Sequence, residues 1–175
     1  MSQRFNRPDA VGVLHYVTLN VWERRPIFAR GAYALAVLNA LRATCDDYPS
    51  RLVAYVVMPD HRHFIAHPKD GQLSHFLARF KPAATKGIDV LAAAKNHARA
   101  QAWLRTPRGR CLWQEGKHSF HLWSDKLIRQ KIHYIHDNPV RSGLVMRPAD
   151  YLWSSYGAFA PESGHQIPVA VDADW

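Results

Sequence analysis

The stretch from Arg51 to His67 constrains the fold more than any other. A valine-rich run, Arg51 to Met58, meets Pro59-Asp60, which reads as a tight turn, and a second run, His61 to His67, reads as its partner strand. A strand sends alternate side chains to one face, so His61 and His63 project together at roughly 6 to 7 Å spacing, close enough to converge on one metal ion. That spacing alone leaves metal binding open, and other residues must complete the site. His67 shares the face but lies further along and reads as a strand-end residue.

Other elements are placed around this hairpin by periodicity. Val11 to Val21 puts Val11, Val13, Val17, Leu19 and Val21 on one face and Leu14, Tyr16 and Thr18 on the other, the two-residue period of a strand. His15 interrupts the first of those faces. After the turn Arg24-Arg25-Pro26, Ala34, Leu38, Leu41 and Cys45 recur at helical spacing. Leu73, Phe76, Leu77 and Phe80 mark a second amphipathic helix behind a capping Asp70, which Pro82 is expected to end or kink. Val90 to Leu104 is alanine-rich and helix-prone with little apolar stripe, and Thr106 to Arg110 is a basic loop. Leu112 to Trp123 contains a strand or short hairpin around Gly116. Ser124 then caps a helix with Leu127, Ile128, Ile132 and Ile135 on one side, which Pro139 should stop.

The order β-α-β-β-α, a helical insert, then β-α does not alternate strictly. It favours an α+β fold with a central antiparallel sheet and helices on one face. The expected division is one domain over 11–160 and a loosely held tail over 161–175.

Charge narrows the function. Of 175 residues, 23 are Lys or Arg and 14 Asp or Glu. Between Arg79 and Lys131 the count is 12 basic to 3 acidic, so this stretch holds the whole excess, as expected for a polyanionic partner such as nucleic acid. Cys45 and Cys111 are too few for a disulfide scaffold and too far apart for a zinc ribbon, which fits a reducing, cytoplasmic setting. No apolar run approaches the ~20 residues needed to cross a bilayer, and the polar start Met1 to Ala10 has no apolar core, so neither membrane insertion nor secretion is expected.

The last helix supplies a second candidate group. Tyr134 and Asn138 are four apart and share a helical face, with Lys131 and Arg141 near it. From the helix alone a tyrosine there reads first as core filler or a hydrogen-bonding surface residue.

Taken together, Tyr55-Val56-Val57-Met58-Pro59-Asp60-His61-Arg62-His63-Phe64, Leu112-Trp113-Gln114-Glu115-Gly116, the run Tyr134-Ile135-His136-Asp137-Asn138-Pro139-Val140-Arg141-Ser142-Gly143-Leu144-Val145 and Trp153-Ser154-Ser155-Tyr156 resemble the REP-associated tyrosine transposases, which belong to the single-tyrosine HUH nucleases. The resemblance runs from about residue 11 to about residue 159, with four motifs in the family's order. It implies a compact ferredoxin-like HUH fold that recognises DNA hairpins from repetitive palindromes and cleaves and rejoins single-stranded DNA. By position it implies metal ligation by His61 and His63, a nucleophile in Tyr134, a third ligand in Asn138, and Mg²⁺ or Mn²⁺ as the ion. Two departures stand out. Arg62 occupies a place that is usually bulky and apolar, so either its stem packs while its head reaches solvent or DNA, or the site is distorted. Asp60 replaces the more usual asparagine.

Arg24, Arg25, Lys117 and Arg141 flank the expected site as candidate phosphate contacts, and Trp113 or His118 as candidate stacking platforms for unpaired bases. The expected partner is hairpin-bearing single-stranded DNA, bound by a monomer or a homodimer. The alternatives are a non-catalytic hairpin DNA- or RNA-binding module and, ranked below it, a hydrolase of small phosphates that uses the histidines without a tyrosine intermediate.

Overall fold

The hairpin expected at Arg51 to His67 forms the edge of a four-stranded antiparallel sheet. The structure, a computed structural model, describes residues 13–174; the positions 1–12 and 175, including Val11 and the polar start, lie outside the described residues. In chain order the elements are β1 (Leu14–Asn20), α1 (Gly31–Asp47), β2 (Ser50–Met58), β3 (His61–Pro68), α2 (Leu73–Ala94), α3 (Ala98–Trp103), β4 (Arg105–Thr106), β5 (Gly109–Arg110), β6 (His118–Leu122) and α4 (Asp125–Arg141). The sheet order is β2-β3-β1-β6. Met58 pairs with His61 across the Pro59-Asp60 turn, and β1 lies on the other side of β3 with Thr18 opposite His63 and Asn20 opposite His61. Among the described residues no helix is long and apolar enough to span a membrane.

The α+β class and antiparallel sheet match expectation, but the helices cover both faces rather than one. Val17, Leu19, Tyr55, Val57, Phe64 and Ala66 pack against α1 and α2. The alternate set, with Tyr16, Val56, Met58 and Ile65, packs against Ile128, Ile132 and Ile135 of α4. The reason is visible in β2, which is buried continuously from Leu52 to Met58 and so has no face to offer water.

Pro82, expected to end or kink its helix, and Pro139, expected to stop its own, both lie inside helices. Pro82 sits on the exposed side of α2, and Ala78, whose carbonyl loses its bond, is exposed too, so water can satisfy that oxygen. Pro139 falls in the last turn of α4, where one missing N–H costs little, and its own carbonyl accepts from Leu144 N at 2.9 Å. The alanine-rich insert divides into the end of α2 and the short α3 at Asn96, whose φ is +49°. The basic loop folds as the small β4–β5 hairpin, and β6 alone forms the strand expected between Leu112 and Trp123.

The segment expected to be a loose tail after residue 160 is instead built into the domain. Val169 is buried in the α1/α2 core, and its N–H and carbonyl both bond the Tyr55 hydroxyl at 3.0 Å. Asp172 N donates to Leu52 O at 2.7 Å, and upstream Ser155 N donates to Tyr55 O at 3.0 Å. These contacts cover the outer edge of β2, which would otherwise present unpaired backbone groups.

Arg62 provides the least expected packing. Its side chain is 1% exposed, and its guanidinium lies over Phe80 at 4.0 Å and Phe64 at 4.4 Å, with Trp113 at 5.8 Å. The head therefore reaches neither solvent nor DNA. It points into the α1/α2 core, on the face opposite His61 and His63. Among the described residues none of its three nitrogens has a hydrogen-bond partner, and burial pushes its pKa down to about 9. Ring contacts offset part of this desolvation, while the orphaned donors are a net cost. Arg62→Met, which keeps the volume and removes the charge, should raise stability by on the order of 1–3 kcal/mol, and so the melting temperature by several degrees. Thermal unfolding checks this, and a lower melting temperature for the variant contradicts it.

Candidate active site

Strand parity puts the two histidines on the α4 side of β3. Ser124 starts α4 by accepting Leu127 N at 3.3 Å, and the isoleucine stripe fixes the helix's rotation on the sheet. Tyr134, one residue off that stripe, comes to lie over the histidines. The His61 and His63 ring centres are 4.9 Å apart, and that of Tyr134 is 5.6 Å from His63. A second tyrosine, Tyr16 of β1, has its ring 6.3 Å from Tyr134.

Hydrogen bonds orient both imidazoles. His63 Nδ1 lies 2.8 Å from both the Tyr16 and the Thr18 hydroxyl oxygens. His61 Nδ1 lies 2.6 Å from Asp60 Oδ1, a carboxylate that can only accept, so that nitrogen carries the proton. The 3.3 Å approach of Arg24 to the same nitrogen is then a contact between donors; the Arg24 guanidinium bonds Asp60 Oδ2 at 2.8 Å and Asn20 instead. In His61 Nδ1 therefore donates and Nε2 keeps its lone pair, the arrangement found in metal-ligating histidines backed by a carboxylate. In His63 the two hydroxyls can donate or accept, and Nε2 is a free donor atom in the tautomer whose Nδ1–H bonds one of them. The Asp60 departure thus supplies a negative acceptor at the turn.

Burial pushes the His63 pKa down to about 3, helped by the nearby His61, Arg24 and Lys131, and burial also lowers that of His61. Both rings are therefore neutral at pH 7. Burial raises the Tyr16 phenol to about 12, so it remains a hydroxyl. Asn138, one turn beyond Tyr134, is buried, and its Nδ2 donates to Tyr134 O at 3.3 Å, which leaves Oδ1 as an acceptor. Among the described residues no group of three His, Cys, Asp or Glu side chains converges, so a cation held here would have two imidazoles and, from Asn138, at most a neutral amide. Such a donor set fits a divalent transition ion, or Mg²⁺ that keeps waters and phosphate oxygens.

Two cations flank Tyr134. Lys131 Nζ lies 5.2 Å from the Tyr134 and Tyr16 ring centres and 4.9 Å from Phe120, while the Arg141 guanidinium carbon is 5.2 Å from the Tyr134 ring. Arg24 is at the rim of the same site. Arg25 is not brought to it: its guanidinium donates to Trp103 O at 2.6 Å and to Glu23. Lys117 is exposed on the loop before β6, and His118 next to it pairs with Thr18. Trp113 is only 3% exposed, with Nε1 donating to Lys81 O, so it cannot stack on a base.

Sequence reasoning did not assign roles to Tyr16 and Thr18. Their alternation in β1 was legible, but pairing β1 with β3 was needed to bring them to His63. It also passed over His136, whose buried Nε2 lies 2.9 Å from Ser155 Oγ. Since Ser155 in turn bonds the Tyr55 backbone, this contact ties α4 to the edge of β2.

Comparison with known proteins adds to this geometry. The sequence model of the IS200-like transposases matches residues 11–138. A Haemophilus influenzae protein assigned as a REP-associated tyrosine transposase is 25% identical over 154 residues, covering 87% of this chain and 84% of its own length. Among solved structures, a REP-associated tyrosine transposase bound to a REP hairpin superposes with a TM-score of 0.69 at 23% identity, covering 100% of this chain and 94% of that one. A Deinococcus radiodurans protein assigned as a transposase gives 0.50 at 20% identity over 74% of this chain and 94% of that one. At these identities the two structural likenesses establish the fold.

Proposed function

Because the chain belongs to the IS200-like transposase family, we propose that it is a metal-dependent endonuclease and strand transferase for hairpin-bearing single-stranded DNA, acting through a 5′-phosphotyrosine at Tyr134. The observation that carries this reading is the approach of the Tyr134 ring to within 5.6 Å of His63, beside His61 and between Lys131 and Arg141. The relative of the same fold bound to a REP hairpin is the reason for proposing hairpin DNA.

His61 and His63 through Nε2, with Asn138 through Oδ1, would hold the divalent ion, which when bound supplies positive charge to the scissile phosphate. Asp60 keeps the His61 ring in the required tautomer, and His63 would adopt it by donating Nδ1–H to the Tyr16 or Thr18 hydroxyl. Tyr134 Oη attacks phosphorus and gives up its proton, the bond from phosphorus to O3′ breaks, and the leaving oxygen takes a proton to become a 3′-hydroxyl. The phosphotyrosine preserves the phosphodiester's energy, so a 3′-hydroxyl attacking it restores a strand without another energy source. Lys131 and Arg141 place positive charge beside the attacking oxygen and the phosphate.

To test this, labelled hairpin-tailed single-stranded DNA is incubated with the protein and Mn²⁺ or Mg²⁺ and run on a denaturing gel. A labelled species that survives denaturation and disappears on protease treatment is expected. Hairpin binding without that species would instead favour a non-catalytic module.

A further inference from the structure

An open groove of about 560 Å³ runs between α2 and the segment that carries β5 and Gly116. Four cations, Lys81, Lys86, Arg108 and Arg110, line it against two carboxylates, Asp89 and Glu115. Both carboxylates are already engaged, Asp89 with Arg110 and Glu115 with Arg108, which holds the two arginines in place on the rim. Lys86 is exposed, and Lys81 Nζ donates to Gly116 O at 3.0 Å. Four of the twelve cations between Arg79 and Lys131 thus collect on one surface, which the proposed chemistry does not use.

That surface is continuous with the active site. From Gly116 the chain passes through exposed Lys117 to His118, which pairs with Thr18, and the Thr18 hydroxyl touches His63. Adjacent strands lie about 4.8 Å apart, so the path leads from the histidines across β1 and β6 to Lys117 and the groove.

We propose that this groove holds the duplex stem of the hairpin by its phosphates, while the unpaired strand lies on the Tyr134 side; the assignment rests on the reading of hairpin DNA as substrate. The distribution of aromatic side chains separates the two roles. In the groove Trp113 is buried with its indole N–H bonded to Lys81 O, so no ring is offered to an unpaired base, and charge without stacking suits a duplex whose bases are already paired. On the Tyr134 side Phe120, whose ring lies 4.9 Å from that of Tyr16, is 38% exposed, which suits an unpaired base.

The test compares the wild type with Lys86→Glu/Arg110→Glu and, as a control, Arg42→Glu/Lys69→Glu outside the groove. Binding of a hairpin with a single-stranded tail and of the same tail without a stem is measured over a range of salt. Circular dichroism and melting temperature establish that each variant is folded. The groove variant should bind the hairpin about 10- to 100-fold more weakly, with a salt dependence shallower by about two ions, and should bind the stemless tail as the wild type does. The control should lose neither. Unchanged hairpin affinity in the groove variant, or an equal loss on both DNAs, overturns the groove. A wild type that shows no preference for the hairpin overturns the proposed substrate and the groove together.

Discussion

Tyr134→Phe should lower strand cleavage by on the order of 10³-fold or more while leaving hairpin affinity within a few-fold of the wild type. The substitution removes one oxygen from a half-buried ring and keeps the packing of α4, which depends on Ile128, Ile132 and Ile135. Tyr16 is not expected to take over, although its ring lies 6.3 Å away, because its hydroxyl is bonded to His63 and burial raises its pKa to about 12. Cleavage is read from labelled DNA under single-turnover conditions, and binding from a gel shift without metal. A variant that cleaves like the wild type would remove Tyr134 from the mechanism. One that neither binds nor cleaves would assign it to DNA binding.

His63→Ala should lower cleavage by roughly two to three orders of magnitude, and added Mn²⁺ should recover little of it. The ring is neutral at pH 7, since burial and the neighbouring cations push its pKa down to about 3, so its loss removes a lone-pair donor and not a positive charge facing DNA. Hairpin affinity in the absence of metal should therefore hardly change. Tyr16→Phe gives a graded comparison: one of the two hydroxyls on His63 Nδ1 remains on Thr18, so a loss of about 10- to 100-fold is expected, as for other groups that orient a ligand. Assays across metal concentrations separate the cases. Full activity in His63→Ala would contradict metal binding at this pair.

Much of this arrangement was legible in the chain because it is local. Tyr134 and Asn138 share a face by helical spacing, His61 and His63 by strand spacing, and the Pro59-Asp60 turn fixes the hairpin register. What could not be read depends on contacts between distant residues. Arg62 allowed two readings, a head that reaches solvent or DNA or a distorted site, and neither included the rings of Phe80 and Trp113 that receive it, because these come from α2 and the segment before β6. Trp113 looked available for stacking for the same reason. The 161–174 segment is short of periodicity, and nothing in its composition announces that Val169 seats on Tyr55. The double-faced sheet was foreshadowed by the unbroken apolar run of β2, yet such a run alone does not say which helix covers which face.

The central claim is that Tyr134 forms the covalent link to DNA, and peptide mapping of the adduct tests it most directly. Wild-type protein is incubated with hairpin-tailed DNA and Mn²⁺, the DNA is trimmed by nuclease, and the modified peptide is sequenced by mass spectrometry. The account predicts one modified residue, Tyr134, carrying a 5′-phosphate, and a released fragment ending in a 3′-hydroxyl. An adduct on Tyr16 or any other residue, or cleavage with no adduct at all, would contradict it.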